Sequence, residues 1–249
     1  MGDGYYAELV HQGIYVLDYG AGNVCSLFNA LNSTGYSFNV VTCPEDLDKA
    51  TCLIFPGVGS FGAAVQALHD RGLFIALQRY LESGRPFLGV CIGMQVLFEE
   101  SDESPGVRGL GFFPGAVKRF GSLQKIELPV PHMGWNDAPL AGDPRKEKYG
   151  THPLQTDGKV YFVHSYMVPL PGDCTTKGVP DYVLSVTEYG GQKFVSSVQR
   201  GNICATQFHP EKSGAIGVKV IKRFLDYSVM QCNGDVTMPV LTKRFVPAS

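Results

Sequence analysis

The chain lacks an excess of either charge. Across 249 residues, 21 Lys and Arg stand against 23 Asp and Glu, a formal net charge of -2 with no long basic run. A chain so balanced offers no electrostatic footprint to nucleic acid or anionic lipid, so neither is expected as a partner. No apolar stretch approaches the roughly 20 residues that a membrane-spanning helix needs. The opening Met1-Gly2-Asp3-Gly4-Tyr5-Tyr6 lacks the basic-then-apolar pattern of a secretory signal, and Tyr6 stands where a myristoylation motif requires Ser or Thr. The seven cysteines, at 25, 43, 52, 91, 174, 204 and 232, contain no Cys-x-x-Cys pair. That excludes zinc-ligand spacing and a secreted disulfide framework, and points to a reducing compartment. The expected location is the cytoplasm, or a plastid if a transit peptide has been removed. No metal and no cofactor are expected: Asp18-Tyr19-Gly20-Ala21-Gly22-Asn23 lacks the full Gly-x-Gly-x-x-Gly of a dinucleotide loop.

What is present is a chain 44% apolar, long enough for one large core, with no internal repeat and no linker-like stretch in its middle. Short apolar runs alternate with helix-length amphipathic segments through the first hundred residues, the signature of a parallel sheet covered by helices. Strands are expected at 13–18, 37–42, 51–55 and 87–90, and helices at 23–34 (stopped by Gly35), 61–69 and 74–82. Beyond residue 100 the pattern shifts to short strands at 125–128, 160–163, 182–187, 194–198 and 203–206, a more antiparallel half closed by a helix over 215–227. Residues 141–158 and 170–181 read as surface loops. The class is therefore α/β, with a central mixed, mostly parallel sheet flanked by helices and antiparallel strands in the C-terminal half.

Chemistry concentrates at Gly89-Val90-Cys91-Ile92-Gly93, where a buried strand gives way to a helix. Glycines on both sides permit a tight turn that exposes a sulfur, and the following helix aims its N-terminal N–H groups at it. This is a nucleophile elbow with sulfur in place of oxygen. Far downstream, Gln207-Phe208-His209-Pro210-Glu211 supplies an imidazole and a carboxylate two residues apart, a spacing that places both on one side of an extended segment. Cys91 as nucleophile, His209 as base and Glu211 as the group that orients the imidazole make a Cys-His-Glu triad. Residues 53–61 read as a strand, a glycine-rich turn and a helix; the turn is either an anion-binding nest or an ordinary connection.

Gly89-Val90-Cys91-Ile92-Gly93-Met94-Gln95 together with Phe208-His209-Pro210-Glu211-Lys212-Ser213 resembles the class I, triad-type glutamine amidotransferases. More narrowly, Pro56-Gly57-Val58-Gly59-Ser60-Phe61, Pro131-His132-Met133-Gly134-Trp135-Asn136 and Tyr161-Phe162-Val163-His164-Ser165-Tyr166 resemble the glutaminase part of imidazole glycerol phosphate synthase, in order over residues 14–226. The resemblance implies a flavodoxin-like amidotransferase fold over 14–229, between an N-terminal extension (1–13) and a tail (230–249). It implies hydrolysis of L-glutamine to glutamate and ammonia through a thioester on Cys91. The ammonia would pass to a (β/α)8-barrel synthase of histidine biosynthesis, either a separate subunit or a fused domain. Carried over by motif, Gly57, Val58 and Gly59 form the oxyanion strand, and Gln95, Glu103, Ser165 and Tyr166 hold the glutamine. Asn23, Trp135, Tyr161 and Lys212 face the synthase, although an apolar anchor under a loop would also explain the single tryptophan. Leu241-Thr242-Lys243-Arg244-Phe245-Val246-Pro247 resembles the first strand of the barrel, so the chain is expected to be the amidotransferase portion of a bifunctional protein or to descend from one. Two alternatives stay open. One is a subunit serving another acceptor, as in anthranilate or pyridoxal phosphate synthesis, whose oxyanion segments carry a glycine where Val58 stands; the other is a catalytically silent regulatory subunit.

Overall fold

A computed structural model describes residues 13–20, 24–122, 128–141, 152–170 and 179–232. Five strands, β1 (Ile14–Val16), β2 (Asn39–Val40), β3 (Cys52–Phe55), β4 (Phe87–Val90) and β12 (Ile203–Thr206), lie parallel in the order β2-β1-β3-β4-β12. The antiparallel half follows. β11 (Gln192–Arg200) pairs with β12, with β9 (Tyr166–Pro169) and with β10 (Val183–Tyr189). β6 (Phe113–Arg119) runs antiparallel to β9, and β5 (Phe98–Ser101) is parallel to β6 at the far edge. A separate antiparallel ribbon joins β7 (His132–Asn136) to β8 (Val160–His164).

Alternation along the parallel strands builds a core on each face, because successive side chains point to opposite sides. On β3, Leu53 and Phe55 face one core while Cys52 and Ile54 face the other; on β4, Phe87 opposes Leu88 and Val90. Both strands are buried throughout, which is why they read as unbroken apolar runs. The first face is covered by α3 (Phe61–Asp70) and α4 (Leu73–Glu82), whose Leu73, Ala76, Leu77, Tyr80 and Leu81 repeat at helical spacing. The second is covered by α1 (Cys25–Thr34) and α6 (Gly214–Cys232) through Leu27, Leu31, Val220, Ile221, Phe224 and Leu225. Gly35 ends α1 in the left-handed conformation at φ 83°. A short α2 spans Glu45–Lys49. A third, aromatic cluster of Phe120, Phe162, Phe194 and Phe208 lies where the ribbon meets the antiparallel half.

The structure adds four strands to those expected from sequence. β5 carries Glu99 and Glu100, β6 carries Pro114 and Gly115, β7 carries Gly134 at φ 138° in its middle, and β9 is only four residues long. Each lacks the uniform β-branched or apolar run that marks a strand. The strand expected over 37–42 shrinks to exposed, two-residue β2 at the sheet edge. Residues 125–127 of the strand expected over 125–128 lie outside the described residues, as do 142–151 and 171–178 within the expected loops. Among the described residues, no helix is long and apolar enough to cross a membrane.

Candidate active site

Three neighbouring parallel strands, β3, β4 and β12, end at the same edge of the sheet, the edge where open α/β sheets bind ligands. Residues 56–60 leave β3, Cys91 leaves β4, and Gln207-Phe208-His209 leaves β12. Segments 34 and 118 positions from Cys91 in sequence, counting from Gly57 and His209, thus meet at one point.

Cys91 is the N-cap of α5 (Ile92–Gln95), at φ 54° and ψ -101°, and among the described residues it is the one non-glycine with positive φ. Its backbone is clamped in that conformation: Cys91 N–H donates to Thr206 O at 2.7 Å, and its carbonyl accepts from Met94 and Gln95 N–H at 3.0 Å each. The flanking glycines are required by close approach. A Cβ on Gly93 would stand 1.9 Å from Phe55 O, and one on Gly89 would stand 2.5 Å from Gly93 O. Ile92, the residue after the sulfur, presents the first N–H of α5, which has no carbonyl in its own helix to bond.

His209 is 1% exposed, and its Nδ1 lies 2.7 Å from Glu211 Oε1. The segment is not extended throughout as expected: His209 is extended, at φ -100° and ψ 94°, but Pro210–Lys212 then forms a 3-10 turn that folds the carboxylate back onto the ring. Among the described residues, Nε2 has no hydrogen-bond partner. Burial, the largest single influence, disfavours the imidazolium, but the charge of Cys91 and the bonded Glu211 carboxylate together outweigh it and raise the His209 pKa. The backbone around it is stitched to the ribbon: His209 N–H donates to Tyr161 O at 2.9 Å, Ser213 Oγ donates to His209 O at 2.7 Å, and Tyr161 N–H donates to Ser213 Oγ at 2.9 Å.

The turn after β3 supplies N–H groups of two kinds. Those of Phe61, Gly62 and Ala63, at the start of α3, are already taken by Glu103 Oε2, Ser104 Oγ and Ser60 Oγ. Among the described residues, those of Val58 and Gly59 engage no acceptor. Gly57 has no room for a side chain, since a Cβ would lie 2.9 Å from the Tyr19 ring. The Tyr19 hydroxyl donates to Val58 O at 2.7 Å. Burial, helped by the charges of Cys91 and Asp18, raises the phenol pKa and keeps it a donor.

A cleft of about 440 Å³ opens beside the sulfur, the size of a small-molecule site. Val58, Gly59, Cys91, Gln95, Glu103, Ser165, Tyr166 and Lys212 line it, together with Ile92, Pro131, Val163 and His164. Gln95 is buried, its Nε2 donating to Tyr166 O at 3.1 Å and to Gln207 Oε1 at 3.0 Å; Gln207 Nε2 in turn donates to Cys91 Sγ at 3.5 Å. Of the residues expected to face a partner, Trp135 is 53% exposed and packs edge-on against the Tyr161 ring at 5.9 Å, so it is not an anchor buried under a loop. Lys212 lies exposed at the cleft, and Asn23 is outside the described residues.

Sequence reading missed Ile92, Tyr19, Gln207 and His164. The elbow rule itself signals the Ile92 N–H, since the residue after the nucleophile normally contributes a donor. Gln207 and His164 stand inside quoted motifs, but nothing local shows which way an amide or imidazole turns. Tyr19 becomes relevant only when β1 and β3 lie side by side.

Fold and site together define an α/β protein with a cysteine elbow and a His-Glu pair at the carboxyl edge of a parallel sheet. The family model for glutamine amidotransferase class-I matches residues 15–226. The chain is similar to imidazole glycerol phosphate synthase hisHF of Schizosaccharomyces pombe, 45% identical over 240 residues, covering 94% of this chain but 43% of that protein. Imidazole glycerol phosphate synthase subunit HisH of Halalkalibacterium halodurans is 43% identical over 218 residues, covering 84% of this chain and 93% of that one. A crystal structure of a glutamine amidotransferase shares the fold, with TM-score 0.61 at 20% identity, covering 87% of this chain and 98% of that one. The chain belongs to the class-I glutamine amidotransferases, in the branch of imidazole glycerol phosphate synthase. It spans less than half the length of the S. pombe relative.

Proposed function

We propose that the chain hydrolyses L-glutamine to glutamate and ammonia and passes the ammonia to a (β/α)8-barrel synthase that forms imidazole glycerol phosphate. The observation that carries this reading is the Cys91 elbow, set at φ 54°, lining the cleft and adjacent to buried His209, whose Nδ1 is 2.7 Å from Glu211 Oε1. His209 takes the thiol proton as the Cys91 sulfur attacks the side-chain amide carbon, and the electron pair of the C=O bond moves to oxygen. The N–H groups of Val58, Gly59 and Ile92 receive that oxyanion; one such donor is commonly worth about 10²–10³ in rate. The tetrahedral intermediate collapses with the C–N bond breaking, His209 gives a proton to the departing nitrogen, and ammonia leaves a thioester. Water, deprotonated by His209, then attacks the thioester; the C–S bond breaks, glutamate departs and the proton returns to the His209–Cys91 pair. Glu211 fixes the ring orientation and stabilises its charged form. Gln95, Glu103, Ser165 and Tyr166 form the wall against which glutamine is held.

The partner reading rests on the ribbon. Met133 (61% exposed) and Trp135 stand two apart on one face of β7, cross-strand from Val163 and Tyr161. An apolar, aromatic stripe beside the cleft suits a hot spot that a second protein covers. A covered exit also serves the chemistry, because ammonia released into water near neutrality is mostly protonated and no longer nucleophilic. Glutamine hydrolysis measured with and without a synthase barrel carrying its nucleotide ligand tests both halves. Strong stimulation is expected, and its absence removes the partner. Cys91→Ala should abolish hydrolysis and thioester trapping; hydrolysis that persists removes the nucleophile.

A further inference from the structure

Among the described residues, the ribbon β7–β8 pairs with no strand of the large sheet; it is tied to it by the chain continuing through Ser165 into β9, by the His209 N–H bond to Tyr161 O, and by a line of buried side chains. We propose that the buried histidines His132 and His164 are positioning residues, a relay of fixed protons that runs from the ribbon through Tyr166, Gln95 and Gln207 to the sulfur of Cys91.

A backbone carbonyl can only accept, and that fact sets every proton in the chain. His164 Nδ1 lies 2.8 Å from Tyr166 O, so Nδ1 carries the hydrogen and Nε2 of the neutral ring is an acceptor. His132 Nδ1 lies 3.1 Å from that Nε2 and must therefore donate to it. His132 Nε2 is left as an acceptor, with Asn136 Nδ2 at 3.5 Å. The Tyr166 carbonyl also receives Gln95 Nε2, whose second hydrogen goes to Gln207 Oε1. With its oxygen so engaged, the Gln207 amide can only turn its N–H toward Cys91 Sγ. All five side chains, His132, His164, Gln95, Gln207 and Cys91, are buried, so water does not compete for these bonds. Phe120, Phe162, Phe194 and Tyr189 enclose the imidazoles with ring centroids 4.2 to 6.0 Å away. That apolar box keeps both rings neutral, as the relay requires: burial lowers the pKa of His132 to about 4 and of His164 to about 3.

The consequence is that the amide N–H on the sulfur is held by a chain whose far end, His132, lies on the buried face of the strand whose other face exposes Met133 and Trp135. This deepens the glutaminase reading and rests on Cys91 being its nucleophile. Packing alone would equally bury two rings, but it would not dictate their tautomers or their effect on the sulfur.

Nitrogen-15 imidazole spectra of the intact chain at pH 7 should show both rings neutral with the hydrogen on Nδ1; a hydrogen on Nε2 of either ring overturns the relay. Iodoacetamide alkylation of Cys91, read on its own peptide by mass spectrometry without glutamine, supplies the second test. His164→Phe fills the box but cannot bond, and should slow alkylation about tenfold and lower kcat for glutamine with KM held. His164→Asn keeps a donor near the Nδ1 position and should recover most of the rate. An unchanged rate in a folded Phe variant, or an Asn variant as slow as Phe, sinks the proposal; if the Phe variant does not fold, the tautomers decide. Slowed alkylation in a chain that hydrolyses no glutamine would leave the relay standing and remove the glutaminase reading.

Discussion

Cys91 occupies a backbone region that costs a non-glycine residue about 1–3 kcal/mol, and its neighbours supply the bonds that hold it there. The residue types at this point were legible in sequence because a cysteine between glycines has few other uses. The direction of the Gln207 amide was not, since it depends on Gln95 and Tyr166 arriving from other strands. The histidines carry a stability consequence whose sign is set by burial. His164 is lowered to about 3 in the folded chain, against an ordinary value near 6.5. Above pH 6.5 both folded and unfolded forms are neutral and the full stability is present. As pH falls below 6.5 the unfolded chain binds a proton that the folded chain refuses, and stability drops until the folded pKa is passed. Between pH 7 and pH 5 this amounts to about 2 kcal/mol from His164 alone. His209, raised rather than lowered, loses its contribution in the opposite direction, as pH rises above 6.5. Denaturant midpoints at pH 7 and pH 5 check the sign: the wild-type loss should be visibly smaller in His164→Phe.

Helix α6 sets the position of the turn that bears Glu211, through a contact with no spare room. A Cβ on Gly217 would stand 1.7 Å from Pro210 O, backbone that cannot yield without moving the 3-10 turn. Helix propensity favours alanine over glycine by about 1 kcal/mol, whereas overpacking against rigid backbone costs about 1–3 kcal/mol or more. At this degree of overlap the steric cost wins. Gly217→Ala should therefore lower the unfolding midpoint and also lower kcat, because His209 and Glu211 shift together; a variant with unchanged midpoint and kcat would show that α6 does not set the turn. The helices themselves were readable from apolar spacing, as in α4, and the buried parallel strands from their unbroken runs. Strands β5, β6, β7 and β9 were not, because glutamates, proline and glycine interrupt the local signal and partner strands alone stabilise them.

At the scale of the molecule, a parallel half gathers the reactive groups at one edge and an antiparallel half encloses them. The ribbon stands at the seam, with Tyr161 bonded through its backbone to His209 and packed edge-on through its ring against exposed Trp135. A partner seated there would touch the base through one residue. Trp135→Ala should weaken the synthase complex by roughly tenfold or more, since central aromatic anchors commonly contribute about 2 kcal/mol. Titration of stimulated glutamine hydrolysis against synthase concentration measures that shift; an unmoved midpoint would place the interface elsewhere.

The sequence by itself determined the fold class and the cysteine elbow, and it named the three residues proposed as a triad. Those signals are local: glycines that permit a turn, apolar alternation that commits a strand, and short motifs in a fixed order. Tertiary structure decided which N–H groups stay unengaged at Val58 and Gly59, how the carboxylate of Glu211 turns back onto His209, and that two histidines distant from the sulfur are bonded to it through a chain of amides. Those outcomes depend on a donor finding one acceptor among several, and only strands brought together across the sheet settle that choice.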